Sequence, residues 1–271
     1  MPQDLTPRRV VCLQPSATVT MAGLGLLDRV VACTKWCVDV CPEAAGNGRM
    51  VVQDSWSAQA EEIRAARPDL VVASVPYRAE ALEEILRAGV PFLAFAPRTL
   101  QDVCRDIAAL AGVMGAAENG RRMIDDLERE VAAVRAKTAG LTRPHVFCEE
   151  WGKPIIRSQR WVAELVEAAG GEFLGEPGAK TEAASVAAQD PEVIVAAWCG
   201  AGDRVPLEKI IRDRGWQQTS AARNRRVFCI PDEYLNTPAT TLLMGLRALA
   251  AILHPEIFPK LPARVRRMEA S

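Results

Sequence analysis

Cys33, Cys37 and Cys41 recur every four residues in VACTKWCVDVCPE. On a helix that spacing would line three thiols along one face. Thiolates are soft donors that suit zinc and iron–sulphur clusters, so the run is a candidate metal site, and Cys199 adds another soft donor after a later strand. Against this, Cys33 closes a β-branched run, Pro42 follows Cys41, and zinc sites commonly use a two-residue gap with a second pair elsewhere. Isolated thiols are the plainer reading. Cys12, Cys104, Cys148 and Cys229 fall in apolar runs, where a free thiol behaves as a small hydrophobe. So many free thiols favour a reducing compartment.

Catalytic constellations are scarce. Glu149-Glu150 offers paired carboxylates, but no nucleophile accompanies them, and adjacent carboxylates of that kind are expected to be solvated loop charges. Of the two histidines, His145 opens a strand and His254 follows the last helix. No HExxH, P-loop or G-x-S-x-G is present, and Gly23-Leu24-Gly25 lacks the third glycine of a dinucleotide turn. The expectation is a binding protein, with no catalytic residues and no nucleotide.

The aromatic residues are more informative. Of six Trp and two Tyr, Trp36, Trp56, Tyr77, Trp151, Trp198 and Tyr234 lie in segments that follow or adjoin strand-like runs, with Pro15, Ser16, Cys37 and Cys199 in comparable places. Burying one such ring, ~200 Å² at about 25 cal/mol per Å², yields ~5 kcal/mol as a gross upper bound. Several rings together offset the ~4–15 kcal/mol cost of association. Trp161 could reach the same region from the first turn of its helix, whereas Trp216 is assigned to packing.

The elements that must position these residues are legible. RVVCL at Arg9 to Leu13, Val30 to Cys33, LVVA at Leu70 to Ala73 and Val90 to Phe95 read as buried strands. Helical patterns at Thr18 to Leu26, Ala58 to Ala66, Ala79 to Ala88 and Leu100 to Met114 alternate with them. Strands that are apolar throughout, alternating with helices, indicate a parallel sheet covered on both faces. The alternation resumes later, with strands at His145 to Cys148, Ile155 to Ile156, Val193 to Ala197 and Arg226 to Ile230. The helices of that half are Trp161 to Ala169, Leu207 to Arg212 and Pro238 to Leu253.

The halves also repeat in detail. RPDLVVA at Arg67 matches DPEVIVA at Asp190, and LEEILR at Leu82 matches LEKIIR at Leu207. Between the halves, ENGRRMIDDLEREVAAVRAKTAG carries Met123, Ile124, Leu127, Val131 and Val134 at helical spacing and ends at Gly140. The fold predicted is α/β, two similar Rossmann-like lobes with parallel sheets joined by one long α-helix. The expected boundaries are 1–117, a linking helix 118–140, and 141–271. Ligands of open parallel sheets sit beyond the carboxyl ends of the strands, so a ligand cleft between the lobes is expected.

Composition narrows the function classes. The formal net charge of the 271 residues is −1 with Lys and Arg scattered, which argues against nucleic acid as a partner. No run of ~18 apolar residues occurs, so the chain is not expected to be membrane-embedded. Monomer is the simplest expectation.

RVVCLQPSATVTMAGLGLLDRVVACTKWC, EEIRAARPDLVVAS, LEEILRAGVPFLAF and EEWGKPIIRSQRWVAELVEAAGG resemble the class III periplasmic-type substrate-binding proteins of ABC importers, most closely their cobalamin-binding branch. The resemblance spans nearly the whole chain. It implies capture, without turnover, of a bulky planar metal chelate, cobalamin or another corrinoid first, with haem or a ferric siderophore as alternatives. By position, Pro15, Ser16, Trp36, Trp56, Tyr77, Trp151, Trp198 and Tyr234 match loops that line that family's pocket. The resemblance also implies one acidic residue per lobe that docks on an ABC permease, and Glu80 and Glu208 fall nearest those places. Exported members carry a leader that is not visible here, so the chain as written is expected in the cytoplasm, or outside it if a signal was removed. The alternative from another class is a cytosolic redox or assembly protein holding a metal or iron–sulphur cluster through Cys33, Cys37, Cys41 or Cys199.

Overall fold

The computed structural model describes residues 5–46 and 48–269. The chain divides into two compact units, one ending at Asp126 and one beginning at Leu127.

The first unit contains β1 (Val10–Cys12), α1 (Pro15–Gly23), β2 (Val30–Cys33), α2 (Lys35–Val40), β3 (Met50–Val51), α3 (Ala60–Ala65), β4 (Leu70–Ser74), α4 (Ala79–Arg87), β5 (Phe92–Phe95) and α5 (Leu100–Val113). Its sheet is wholly parallel in the order β3-β2-β1-β4-β5. Strand side chains alternate between faces. Val10, Cys12, Leu70 and Val72 therefore pack with Met21, Leu110 and Met114. Val11, Leu13, Val71 and Ala73 pack with Ile63 and Ile85 on the other face. Both faces are covered, which is why these strands carry no polar alternation. Helix α1 starts at Pro15, earlier than the expected Thr18, because a proline fits the first helical position, where no amide hydrogen is needed.

Helix α6 (Ala117–Thr138) is the long central helix, and the division between units falls within it. Its 22 residues make a rod of ~33 Å. Gly140, at φ 78°, supplies the left-handed turn that ends it.

The second unit contains β6 (His145–Gly152), β7 (Ile155–Arg157), α7 (Arg160–Ala168), β8 (Glu172–Phe173), β9 (Lys180–Thr181), α8 (Ala183–Ala188), β10 (Val193–Ala196), α9 (Leu207–Asp213), α10 (Ser220–Arg223), β11 (Val227–Cys229), α11 (Asp232–Leu235), α12 (Leu242–Leu253) and β12 (Arg266–Arg267). The parallel neighbours β11, β10, β6 and β8 repeat the relations of β5, β4, β1 and β2. The second sheet keeps the expected parallel core and adds antiparallel strands to it, so it is mixed. β7 runs antiparallel to β6, β9 to β7, and β12 to β11. The link between β6 and β7 is Lys153-Pro154, and two residues can close a hairpin but cannot make the crossover a parallel pair requires.

The sequence repeat has a physical basis. Arg67 and Asp190 follow the ends of α3 and α8 in the left-handed conformation, at φ 46° and 43°. Pro68 and Pro191 then prevent the helix from resuming. The next acid ties the new strand to its neighbour: the Asp69 carboxylate accepts from the backbone amides of Arg8 (2.7 Å) and Arg9 (2.9 Å), and Glu192 accepts from that of His145 (2.9 Å). The short helices α2, α8, α10 and α11 were not predicted, and α12 begins at Leu242, not Pro238.

Candidate functional site

Because the first sheet is parallel, the carboxyl ends of its five strands share one edge, and the residues that follow them form a rim. Asp54 organises that rim. One carboxylate oxygen accepts from the amides of Trp56 (3.0 Å) and Ser57 (3.1 Å) and from the Ser57 hydroxyl (2.9 Å). The other accepts from the Trp36 indole at 3.2 Å. One acid thus shapes the turn that presents Trp56 and orients the ring of Trp36. Lys35 Nζ lies 4.3 Å from the Trp36 ring centroid, and Trp56 remains 48 % exposed. Tyr77 is half-buried and donates to the Phe95 carbonyl (3.0 Å), and burial pushes its phenol pKa up. Pro15 is half-buried and Ser16 buried in the first turn of α1. Trp36 and Cys37 sit on α2, not in a loop.

In the second unit the Glu149 carboxylate is wholly buried, which corrects the expectation of a solvated loop charge. It accepts from the Trp198 indole at 2.8 Å and from Arg214 Nη1 at 2.6 Å. Arg214 donates again to the Gly152 carbonyl (3.1 Å) and lies over the rings of Trp216 (4.7 Å) and Trp198 (5.8 Å). Gly152 is needed because a Cβ there would overlap the Trp198 ring. The ion pair therefore holds an indole in place at the carboxyl end of β10. Glu150, beside it, accepts from Gln159 Nε2 at 2.5 Å, and burial pushes its pKa up to about 7. Trp151 is 45 % exposed and donates to the Lys153 carbonyl.

Cys199 is exposed, and its sulphur accepts from Asn236 Nδ2 at 3.3 Å. Tyr234 belongs to α11, where its hydroxyl donates to the Ala263 carbonyl at 3.5 Å, while Glu233 pairs with Arg264. Trp161 is a packing residue, buried and donating to the Leu235 carbonyl at 2.8 Å, so it does not reach the rim. Trp216 packs as expected, edge-on to Phe147 with 5.6 Å between centroids. Asp54, Arg214, Gln159 and Asn236 were missed in the sequence. Of these only Asp54 left a signal, in the Asp-Ser-Trp-Ser pattern of an Asx turn.

The cysteine run does not form a metal centre. Cys33 ends β2, Cys37 lies on α2 and Cys41 follows it, so the three do not share a helical face. Among the described residues no group of three or more His, Cys, Asp and Glu could hold a metal ion, which overturns the cysteine-rich cluster reading. All three thiols are buried. Burial raises the Cys37 pKa, but hydrogen bonds from the Cys33 thiol and from the Thr34 side chain and backbone outweigh it, leaving the value at about 7. Thr34 both caps α2 through the Cys37 amide (3.1 Å) and donates to the Cys37 sulphur (3.2 Å).

Glu80 and Glu208 are exposed, and each is the second residue of its helix, α4 and α9. Arg78 lies 3.5 Å from Glu80, and Glu208 accepts from the Glu269 amide at 3.1 Å. Among the described residues no helix is long and apolar enough to cross a membrane.

Known proteins resemble the chain along most of its length. It is 23 % identical to an uncharacterised ABC transporter substrate-binding lipoprotein of Bacillus subtilis, YvrC, covering 94 % of this chain and 84 % of that protein. It is 24 % identical to a cobalamin-binding protein of Halobacterium salinarum, covering 93 % and 70 %. A periplasmic haem-binding protein from Pseudomonas aeruginosa superposes with a TM-score of 0.84 at 20 % identity, over 97 % of this chain and 99 % of that one, a likeness of fold. These names describe lipoproteins and periplasmic proteins, and the cytoplasmic reading gains no support from them. The family described as periplasmic binding protein matches residues 10–234, a span that runs from β1 to the Tyr234 rim, and the chain belongs to that family.

Proposed function

We propose that this chain is the ligand-capturing component of an ABC importer and binds a planar metal chelate, a corrinoid first, without chemical turnover. The carrying observation is that each unit presents an indole at its strand-end rim that is fixed by a carboxylate: Trp36 by Asp54, and Trp198 by Glu149. Fixed rings lose little conformational freedom on binding, so more of their contact energy appears as affinity. A flat, largely apolar chelate is the ligand class that such surfaces suit. Cobalamin and haem are named for relatives at similar identity, and both belong to this class.

In this reading Pro15, Ser16, Trp36, Trp56 and Tyr77 of the first unit, and Trp151, Trp198, Cys199 and Tyr234 of the second, contribute the contact surface, while Cys37, wholly buried in the core, supports it from beneath. The domain roles follow the boundaries 1–117, 118–140 and 141–271. Glu80 and Glu208 face a permease outside the cytoplasm, where exposed ion pairs of ~0.2–1 kcal/mol set orientation and not affinity.

The test is titration of the full chain with cyanocobalamin and, separately, haemin, followed by tryptophan quenching and ligand absorption. The expected result is saturation at one ligand per chain with micromolar or tighter affinity, about −8 kcal/mol, weakened at least tenfold in Trp36→Ala and Trp198→Ala. Failure of both chelates to bind would overturn the reading.

A further inference from the structure

Arg157 ends β7 and is only 6 % exposed. Its guanidinium makes no hydrogen bond or ion pair to any described residue, and Nε is shut off from solvent without a partner. The one charge-related contact is the Phe147 ring, 6.0 Å away. Burial alone shifts its pKa, downward, with no acid opposing that shift. The neighbouring carboxylates are committed elsewhere: Glu149 to Arg214 and Trp198, and Glu150 to Gln159.

The next residue repeats the pattern. Ser158 is wholly buried, and its hydroxyl also has no partner. Its backbone is rigidly placed, the amide donating to the Cys148 carbonyl and the carbonyl accepting from the Gly178 amide, both at 3.0 Å. Gly175 backs the guanidinium, and a Cβ there would come within 2.6 Å of Arg157 Cζ. One residue beyond Ser158, the nine-residue α7 begins at a Gln159 cap whose side chain is turned to Glu150 and makes no capping bond, so the first amides of the helix also lack a side-chain acceptor.

A buried cation without an acid is costly, and the cost is relieved only by an opposite charge. A guanidinium offers a planar fork of donors that matches the two oxygens of a carboxylate or phosphate, and a serine hydroxyl adds a third donor. We infer that the second unit carries a receptor for an oxyanion group, a carboxylate or phosphate, built on the Arg157 guanidinium, with the Ser158 hydroxyl a free donor on the next residue of the chain. The site stands on these residues alone and does not require the chelate reading. If the ligand is a chelate, the receptor selects one with an acidic group at its periphery.

The test uses inorganic phosphate and acetate as probes on the full chain, with thermal melting and calorimetric titration as readouts. Saturable stabilisation by several degrees is expected in the wild type and is lost in Arg157→Gln, while Arg157→Lys, which keeps the charge without the fork, binds at least tenfold more weakly. In the absence of anion, Arg157→Met is expected to melt no lower than the wild type, because it removes an uncompensated buried charge. No saturable effect in the wild type, or an undiminished effect in Arg157→Gln, would overturn the inference. Given phosphate binding at Arg157, haemin and its dimethyl ester identify the source of the group. A tenfold preference for the free acid that disappears in Arg157→Gln assigns it to the ligand, and equal affinities assign the site to a free anion. Failure of the chelate reading is seen separately, as absent chelate binding with the phosphate response intact.

Discussion

Arg67 and Asp190 occupy the same left-handed backbone position, φ 46° and 43°, immediately before the Pro-acid pairs that lead into β4 and β10. The left-handed region costs an ordinary residue roughly 1 kcal/mol that glycine does not incur. Their side chains differ in use: Asp190 accepts from the Ser220 amide (2.6 Å) and hydroxyl (2.7 Å), opening α10. Arg67→Gly is therefore expected to stabilise the protein by ~0.5–1 kcal/mol, and Asp190→Gly to destabilise it by about 1 kcal/mol net, because the lost capping bonds outweigh the relief. Urea denaturation of both variants checks the contrast, and the same sign for both would refute it.

Arg214 and Glu149 form a buried pair whose members depend on each other. Removing one leaves the other charged and unpaired, a loss of ~3–5 kcal/mol. Arg214→Met alone is expected to lie in that range, whereas Arg214→Met with Glu149→Leu recovers a large part of it. Chemical denaturation of the two singles and the double gives the coupling directly.

Gly152→Ala places a methyl where the Trp198 ring lies. The ring must move, while the ion pair beneath it remains. Chelate affinity is expected to fall at least tenfold with a stability change below ~1.5 kcal/mol, measured by titration and melting on the same sample. An unaltered affinity would show that Trp198 does not contact the ligand.

Glu150 titrates at about 7 in the folded chain because burial disfavours its charged form, against an ordinary value of 4.5. The folded state therefore holds this proton more tightly than the unfolded state does. Its contribution is fully present below pH 4.5 and is lost as the pH rises through 7, by up to ~3 kcal/mol. Glu150→Gln keeps a hydrogen-bonding group without the charge, and should flatten the stability profile between pH 4.5 and 7 and raise stability at pH 8. Denaturation midpoints across pH 4–8 for both proteins decide it.

The parallel cores were legible because their strands are apolar throughout and their helix ends repeat the same stop signal, as Arg67-Pro68-Asp69 and Asp190-Pro191-Glu192 illustrate. The antiparallel additions were not, since β9 and β12 are two polar residues each and gain order only from a neighbouring strand. The rim aromatics were visible as types that follow strands, but their supports were not. Arg214 reaches Glu149 from 65 positions away, and nothing in local spacing foretells such a partner. Glu149 was read as solvated for the same reason: two consecutive acids carry no mark of burial, and alternation along β6 put one inward. The cysteine spacing was already outweighed in the sequence by the strand that ends at Cys33, which breaks the helical register that the pattern requires.

Of the eight cysteines, Cys199 alone is exposed. Where relatives of this kind work in oxidising surroundings, a chain with one accessible thiol can join a second copy covalently but cannot extend beyond that pair. The same thiol lies beside Trp198, but burial and the Glu150 and Asp232 charges push its pKa up to about 12, so it stays protonated at neutral pH and takes a maleimide dye only in alkaline solution.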